Sequence, residues 1–135
     1  MALIDILKKE HGVILNAFAE VERLGVDSSE GLKKLLKIKE LLLGHLHKED
    51  EVLYPQLEQI ITSKSLSLTF KNDMKCVSKR ALDLICTCEK QADGIDVDAV
   101  KLEFSAVYKE LQARIQREEC MLYPEYIRLT GDQDS

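Results

Sequence analysis

The sequence predicts an all-α fold, an up-down-up-down antiparallel four-helix bundle, and three observations predict it. Apolar residues recur at spacings of three and four along nearly the whole chain, as they do on one face of an α-helix. Only two prolines and six glycines punctuate the 135 residues, and the glycines fall where the periodicity breaks. Four helical segments of twenty or more residues, joined by short turns, pack most economically as antiparallel neighbours.

The first helix is expected from about Ala2 to Leu24, closed by Gly25. The second runs from about Ser29 to Ile61 and is opened by the cap region Asp27-Ser28-Ser29-Glu30. A third spans roughly Ser65 to Gln91 and stops near Gly94. The fourth begins after Asp96 or Asp98 and continues to about Leu129, where Gly131 and a polar tail end it. This makes one domain over residues 1–130 with a tail at 131–135, since the length leaves no room for a second.

With 19 Lys and Arg against 24 Asp and Glu, the net charge of −5 argues against nucleic acid or an anionic membrane surface as partner. No apolar run approaches the roughly eighteen residues of a membrane span. The opening MALIDILKKEHG has no apolar core of a signal peptide, so a cytoplasmic protein is expected. Cys76, Cys86, Cys88 and Cys120 lack the paired spacing of a zinc site, and in that compartment they stay reduced. Cys86 and Cys88 point to opposite sides of a helix, which rules against a bridge between them.

The informative anomaly lies in the stripe each helix should turn to the core. It reads Ile4, Leu7, His11, Ile14, Phe18, Val21 in the first helix and Leu35, Ile38, Leu42, His45, Glu49, Val52 in the second. In the fourth it reads Val100, Phe104, Val107, Leu111, Arg114, Glu118, Met121, whereas the third stays apolar through Leu66, Phe70, Met74, Val77, Ala81 and Leu84. The polar intrusions lie at compatible depths, so they converge on one layer.

Two histidines, two carboxylates and a guanidinium inside a bundle must satisfy one another or bind something, because isolated buried charge is strongly unfavourable. His45 and Glu49 are four apart and project from one face, like two ligands of a single cation. Imidazole with carboxylate suits iron, manganese or zinc. His47 and Glu51 share the spacing but leave the core stripe, so they are read as rim or surface. The segment from His45 to Pro55 recurs in degraded form from Arg114 to Pro124, each ending in Leu-Tyr-Pro, which suggests an internal duplication. Tyr54 and Tyr123 are read as core packing with a hydroxyl near the boundary.

On Glu10-His11, on His45-x3-Glu49 running into Val52-Leu53-Tyr54-Pro55, and on Glu118 followed by Leu122-Tyr123-Pro124, the chain resembles the hemerythrin-like, or HHE cation-binding, family over essentially its whole length. The resemblance implies a four-helix bundle around a non-haem di-iron centre that binds, senses or handles oxygen, nitric oxide or iron. His11, His45, Glu49 and Glu118 match positions around one iron. The histidines expected for the other are replaced by Met74 and Arg114.

A charge count then favours one ion. Glu49, Glu118 and Arg114 sum to −1, so one divalent metal gives +1 and two give +3. Like charges 4 Å apart cost about 4 kcal/mol at an effective dielectric near 20. Two occupancies remain: a single iron, manganese or zinc with Arg114 replacing the lost metal electrostatically, or no metal, with Arg114 bridging Glu49 and Glu118. The expected function is a divergent hemerythrin-like protein with a single iron site that binds or senses oxygen or nitric oxide. No nucleophile with an adjacent base appears, so catalysis is not expected. The alternatives are a metal-free bundle that binds a protein partner, and a thiol redox switch on the four cysteines.

Overall fold

The computed structural model describes residues 3–59, 64–90 and 97–131. Among these residues there is no strand, and the helices form four rods. The first is α1, Leu3–Leu24. The second starts as α2, Ser29–Lys48, widens into one π-helical turn at Glu49–Leu53 and ends as α3, Tyr54–Glu58. The third is α4, Lys64–Lys90. The fourth repeats the plan of the second: α5, Val97–Arg117, a π-helical turn at Glu118–Leu122, then α6, Tyr123–Thr130. The expected helix limits at Ala2, Ile61, Gln91, Gly94 and Asp96, the side chain of Leu66 and tail residues 132–135 lie outside what is described.

Neighbouring rods pack in a closed ring, α1 on α2, α2 on α4, α4 on α5 and α5 on α1. The α1–α2 corner is set by two glycines and a cap. Gly25 takes φ +91°, which an L side chain rarely adopts, and its N–H still bonds the Val21 carbonyl at 2.7 Å. Ser28 Oγ accepts from the Gly31 N–H at 2.9 Å and donates to the Gly25 carbonyl at 3.0 Å, satisfying one of the free donors of α2. A Cβ on Gly31 would stand 1.8 Å from that same carbonyl, so only glycine lets the corner close.

The π-helical turns have a reason in the sequence. Pro55 and Pro124 lack an N–H, and in an unbroken α-helix their rings would strike the carbonyl four residues back. Both rods widen just ahead of the proline: the Tyr54 N–H bonds the Glu49 carbonyl, and the Tyr123 N–H bonds that of Glu118, five residues back in each case. Each proline then sits in the first turn of α3 or α6, where a missing N–H costs little.

The extra residue turns the inward stripe by one position. Val52 and Met121, expected in the core, are 38% and 53% exposed, while Leu53 and Leu122 are fully buried in their place. The same shift brings Tyr54 and Tyr123 inside. A straight heptad reading could not supply it, because it assumes an unbroken 3.6-residue turn.

The core consists of two apolar clusters. The larger holds Ile14, Phe18, Leu42, Met74, Leu111 and Ile115 among others, and the smaller holds Leu7, Leu53, Tyr54, Phe70, Leu122 and Tyr123. Between them lies the polar layer: His11 between Leu7 and Ile14, His45 and Glu49 between Leu42 and Leu53, Glu118 between Ile115 and Leu122. The α4 rod crosses this level between Phe70 and Met74 and walls it with apolar side chains. No helix among the described residues is long and apolar enough to cross a membrane.

Candidate metal centre

His11 on α1, His45 on α2, and Glu49 and Glu118 at the first positions of the two π-helical turns are the buried titratable residues of this layer, none more than 2% exposed. Each offers one ligand atom, and the four atoms lie within 4.8 Å of one another. His11 Nε2 is 3.1 Å from His45 Nε2 and 3.3 Å from Glu118 Oε1, and His45 Nε2 is 3.5 Å from Glu49 Oε2. Ligand atoms about 2.1 Å from one ion at tetrahedral angles stand roughly 3.4 Å apart, so these three separations are of the size a coordination shell would need.

The outer faces of both imidazoles are occupied. His11 Nδ1 lies 2.8 Å from Glu119 Oε2, and His45 Nδ1 lies 2.9 Å from Glu10 Oε1. Lys48 donates to the other oxygen of Glu10. The tautomers follow from these partners: a carboxylate only accepts, so each Nδ1 carries the proton and each Nε2 turns a lone pair inward. Two lone pairs at 3.1 Å repel unless a cation or a proton stands between them.

The carboxylates are equally incomplete. Tyr123 donates its hydroxyl toward Glu49 Oε2 at 3.3 Å, with His11 Nε2 3.2 Å away, and Tyr54 donates to Glu118 Oε2 at 3.4 Å. Glu49 Oε1 and Glu118 Oε1 are buried without a hydrogen bond. Leaving such oxygens unsatisfied costs about 1–3 kcal/mol each, and more when they are charged. A cation bound to the free oxygens and the paired Nε2 atoms would satisfy both.

The electrostatics of the buried groups agree. Burial first, and then the charge and proximity of Glu49, push the Glu118 carboxyl well above the ordinary range. Burial pulls His45 down, but Glu49 and Glu10 outweigh it and raise the imidazole overall. His11 is lowered by burial and by the neighbouring His45, against the pull of Glu119. Burial raises Glu10, yet the bonds and charges of Lys48 and His45 leave it below its usual value. Tyr54 and Tyr123 are pushed far up by burial and the nearby carboxylates, so both phenols keep their protons. Without a cation, Glu118 and His45 thus hold their protons to higher pH than the free side chains, and His11 gives its proton up sooner.

Arg114 departs from the sequence expectation. Its side chain is 30% exposed and pairs with Asp73 at 3.1 Å, while Ile115 takes the buried position. A guanidinium that reaches a carboxylate at the rim keeps its hydration and avoids the cost of burial. The charge balance changes accordingly: Glu49 and Glu118 as carboxylates sum to −2, one divalent ion brings the cage to zero, and two would leave +2. Met74 is buried in the larger apolar cluster and adds no charge. His47 is exposed. Cys76, Cys86 and Cys120 are exposed, Cys88 is buried, and none is in a disulfide.

Sequence reasoning missed the roles of four residues. Glu10 was visible only as part of a motif, and Glu119 only as the neighbour of Glu118. Tyr54 and Tyr123 pack in the core as expected, yet their hydroxyls, expected near the boundary, reach the carboxylates of the centre. The duplicated Leu-Tyr-Pro was the available signal, since a proline there forces the widened turn that swings the tyrosine inward.

Among known proteins, the family described as hemerythrin HHE cation binding domain matches residues 2–126. No curated protein and no solved structure matches the chain.

Proposed function

We propose, from the premise that this chain belongs to the hemerythrin HHE cation-binding family, that it binds a single non-haem metal ion, iron, and uses it to bind or sense oxygen or nitric oxide. The observation that carries this reading is the convergence of two inward Nε2 lone pairs with one buried carboxylate oxygen each from Glu49 and Glu118, all four atoms within 4.8 Å of one another. His11, His45, Glu49 and Glu118 would hold the ion.

The donor set, two imidazoles and two carboxylates, fits ferrous iron, manganese or zinc, and an ion of +2 neutralises it. Bound there, ferrous iron supplies open coordination positions for a small diatomic ligand. The chain's own residues do the rest. Glu10 and Glu119 hold the imidazole protons on the outer nitrogens. Tyr54 and Tyr123 hold neutral hydroxyls against the carboxylates. Phe70 and Met74 on α4 keep water from the side that carries no ligand.

The reading is one of binding rather than catalysis, in a protein of the cytoplasm. The ring of rod contacts supports the up-down-up-down order, since short connections between successive rods favour antiparallel neighbours.

Metal analysis of protein purified without chelators tests the proposal. The expected result is close to one ion per chain, iron after growth in iron-replete medium, falling sharply in His45→Ala. An anaerobic ferrous sample is expected to change its visible spectrum on addition of nitric oxide. Metal content near zero overturns the metal reading and favours a metal-free bundle that acts through a protein partner, and oxidation of the free cysteines without metal would favour the thiol switch.

A further inference from the structure

The two carboxylates outside the cage are arranged in a crossed pattern. Glu10 directly precedes the ligand His11 on α1, yet its oxygen receives the Nδ1–H of His45 on α2. Glu119 directly follows the ligand Glu118 on the fourth rod, yet it receives the Nδ1–H of His11 on α1. The first and fourth rods thus each supply a ligand inward and, one residue away, fix the ligand of a neighbouring rod.

We infer that Glu10 and Glu119 are the positioning residues of the metal centre: by holding Nδ1 of His45 and His11 across rod boundaries, they aim both Nε2 atoms at a common ion and make its binding depend on the register of three rods. This rests on the metal reading above.

Three observations carry it. Both bonds are short, at 2.8 and 2.9 Å, and both imidazoles are 2% exposed, so no water competes for Nδ1. An imidazole that rotated about its χ2 bond would exchange Nδ1 for a carbon, lose the outer bond and carry Nε2 away from the centre; the carboxylate therefore selects both the tautomer and the ring orientation. Glu10 is itself anchored, because Lys48 holds its second oxygen, whereas Glu119 is 34% exposed. The α1–α2 pair is consequently the stiffer half of the clamp, and the link from α1 to the fourth rod the softer.

The second clamp sits at the start of one of the two π-helical turns. Glu118 and Glu119 are adjacent at the start of the widened turn, where one residue points into the cage and the next reaches sideways to α1. The equivalent position in the second rod, Asp50, is exposed, and His45 draws its partner from α1 instead.

The test uses cobalt(II) as a spectroscopic probe, titrated into the full chain in competition with a chelator, with Glu10→Ala, Glu119→Ala and the matching Gln variants. Removing a partner of a metal-bound histidine typically weakens metal affinity about 10–100-fold, and that loss is expected for each Ala variant. A Gln carbonyl still accepts from Nδ1–H but without charge, so the Gln variants should fall between the parent and Ala. The melting temperature of the metal-free Gln variants, which keep an acceptor for Nδ1–H, should move little, and weakened cobalt binding in them separates positioning from a merely structural role. Cobalt affinity and visible bands equal to the parent in the Ala variants would overturn the inference. Should the Ala variants fail to fold, the Gln variants decide: weakened binding supports it and unchanged binding overturns it. A parent chain that takes up no cobalt would instead overturn the metal reading itself.

Discussion

His11 and His45 face each other through their Nε2 atoms at 3.1 Å while both Nδ1 atoms are occupied by carboxylates. Neither ring has a free proton for the other once its Nδ1–H is committed outward. Two such lone pairs repel unless a shared cation, either a metal or an added proton, stands between them.

Metal uptake is therefore expected to release protons. Glu118 and His45 both hold their protons to higher pH than the free side chains, so both must lose them to become ligands. His11 is shifted the other way and is neutral above its lowered value. Raising the pH through and above the ordinary histidine range should tighten binding. Calorimetric titration of zinc in buffers of different ionisation heat would show the release, and pH-independent affinity between pH 6 and 8 would contradict it.

The tyrosine hydroxyls stabilise the charged cage. Their hydrogen bonds to Glu118 oppose the upward push of burial and of Glu49. Tyr54→Phe should raise Glu118 further, weaken metal binding several-fold at neutral pH and shift its pH dependence upward. The loss of the bond itself should cost about 0.5–1.5 kcal/mol in stability. Equal affinity in the parent, Tyr54→Phe and Tyr123→Phe would show that these hydroxyls do not act on the carboxylates.

The widened turns can be checked by truncation on either side of the register shift. Leu53→Ala and Leu122→Ala remove fully buried side chains and should each cost about 2–5 kcal/mol in denaturant unfolding. Val52→Ala and Met121→Ala remove exposed ones and should stay within about 0.5 kcal/mol of the parent. An unbroken α-helix through either segment would reverse the order.

Arg114 should be dispensable for the ion. With its guanidinium paired to Asp73 at the rim, Arg114→Ala is expected to leave metal stoichiometry unchanged and to cost less than about 1 kcal/mol, as exposed ion pairs do. Loss of metal in that variant would place its charge inside the cage after all.

The helical class, the rod boundaries at Gly25 and Ser29, and the convergence of His11, His45, Glu49 and Glu118 were all legible in the chain, because hydrophobic period and cap chemistry are local properties. A polar residue recurring in an apolar stripe is also visible without coordinates. What was not legible depended on a departure from that period. The straight stripe sent Val52 and Met121 inward and Arg114 into the cage, and a side chain as long as arginine can satisfy itself at the rim from a position that pattern alone calls interior.

The sequence by itself determined that this is a helical chain with one buried layer of metal-ligand chemistry, since spacing along a helix dictates which residues share a face. Only the tertiary structure decided how that layer is completed: two widened turns bring Tyr54 and Tyr123 to the carboxylates, and Glu10 and Glu119 orient histidines on other rods. The physical reason is that hydrogen bonds between residues 35 and 108 positions apart arise from how the rods pack, and no local period encodes them.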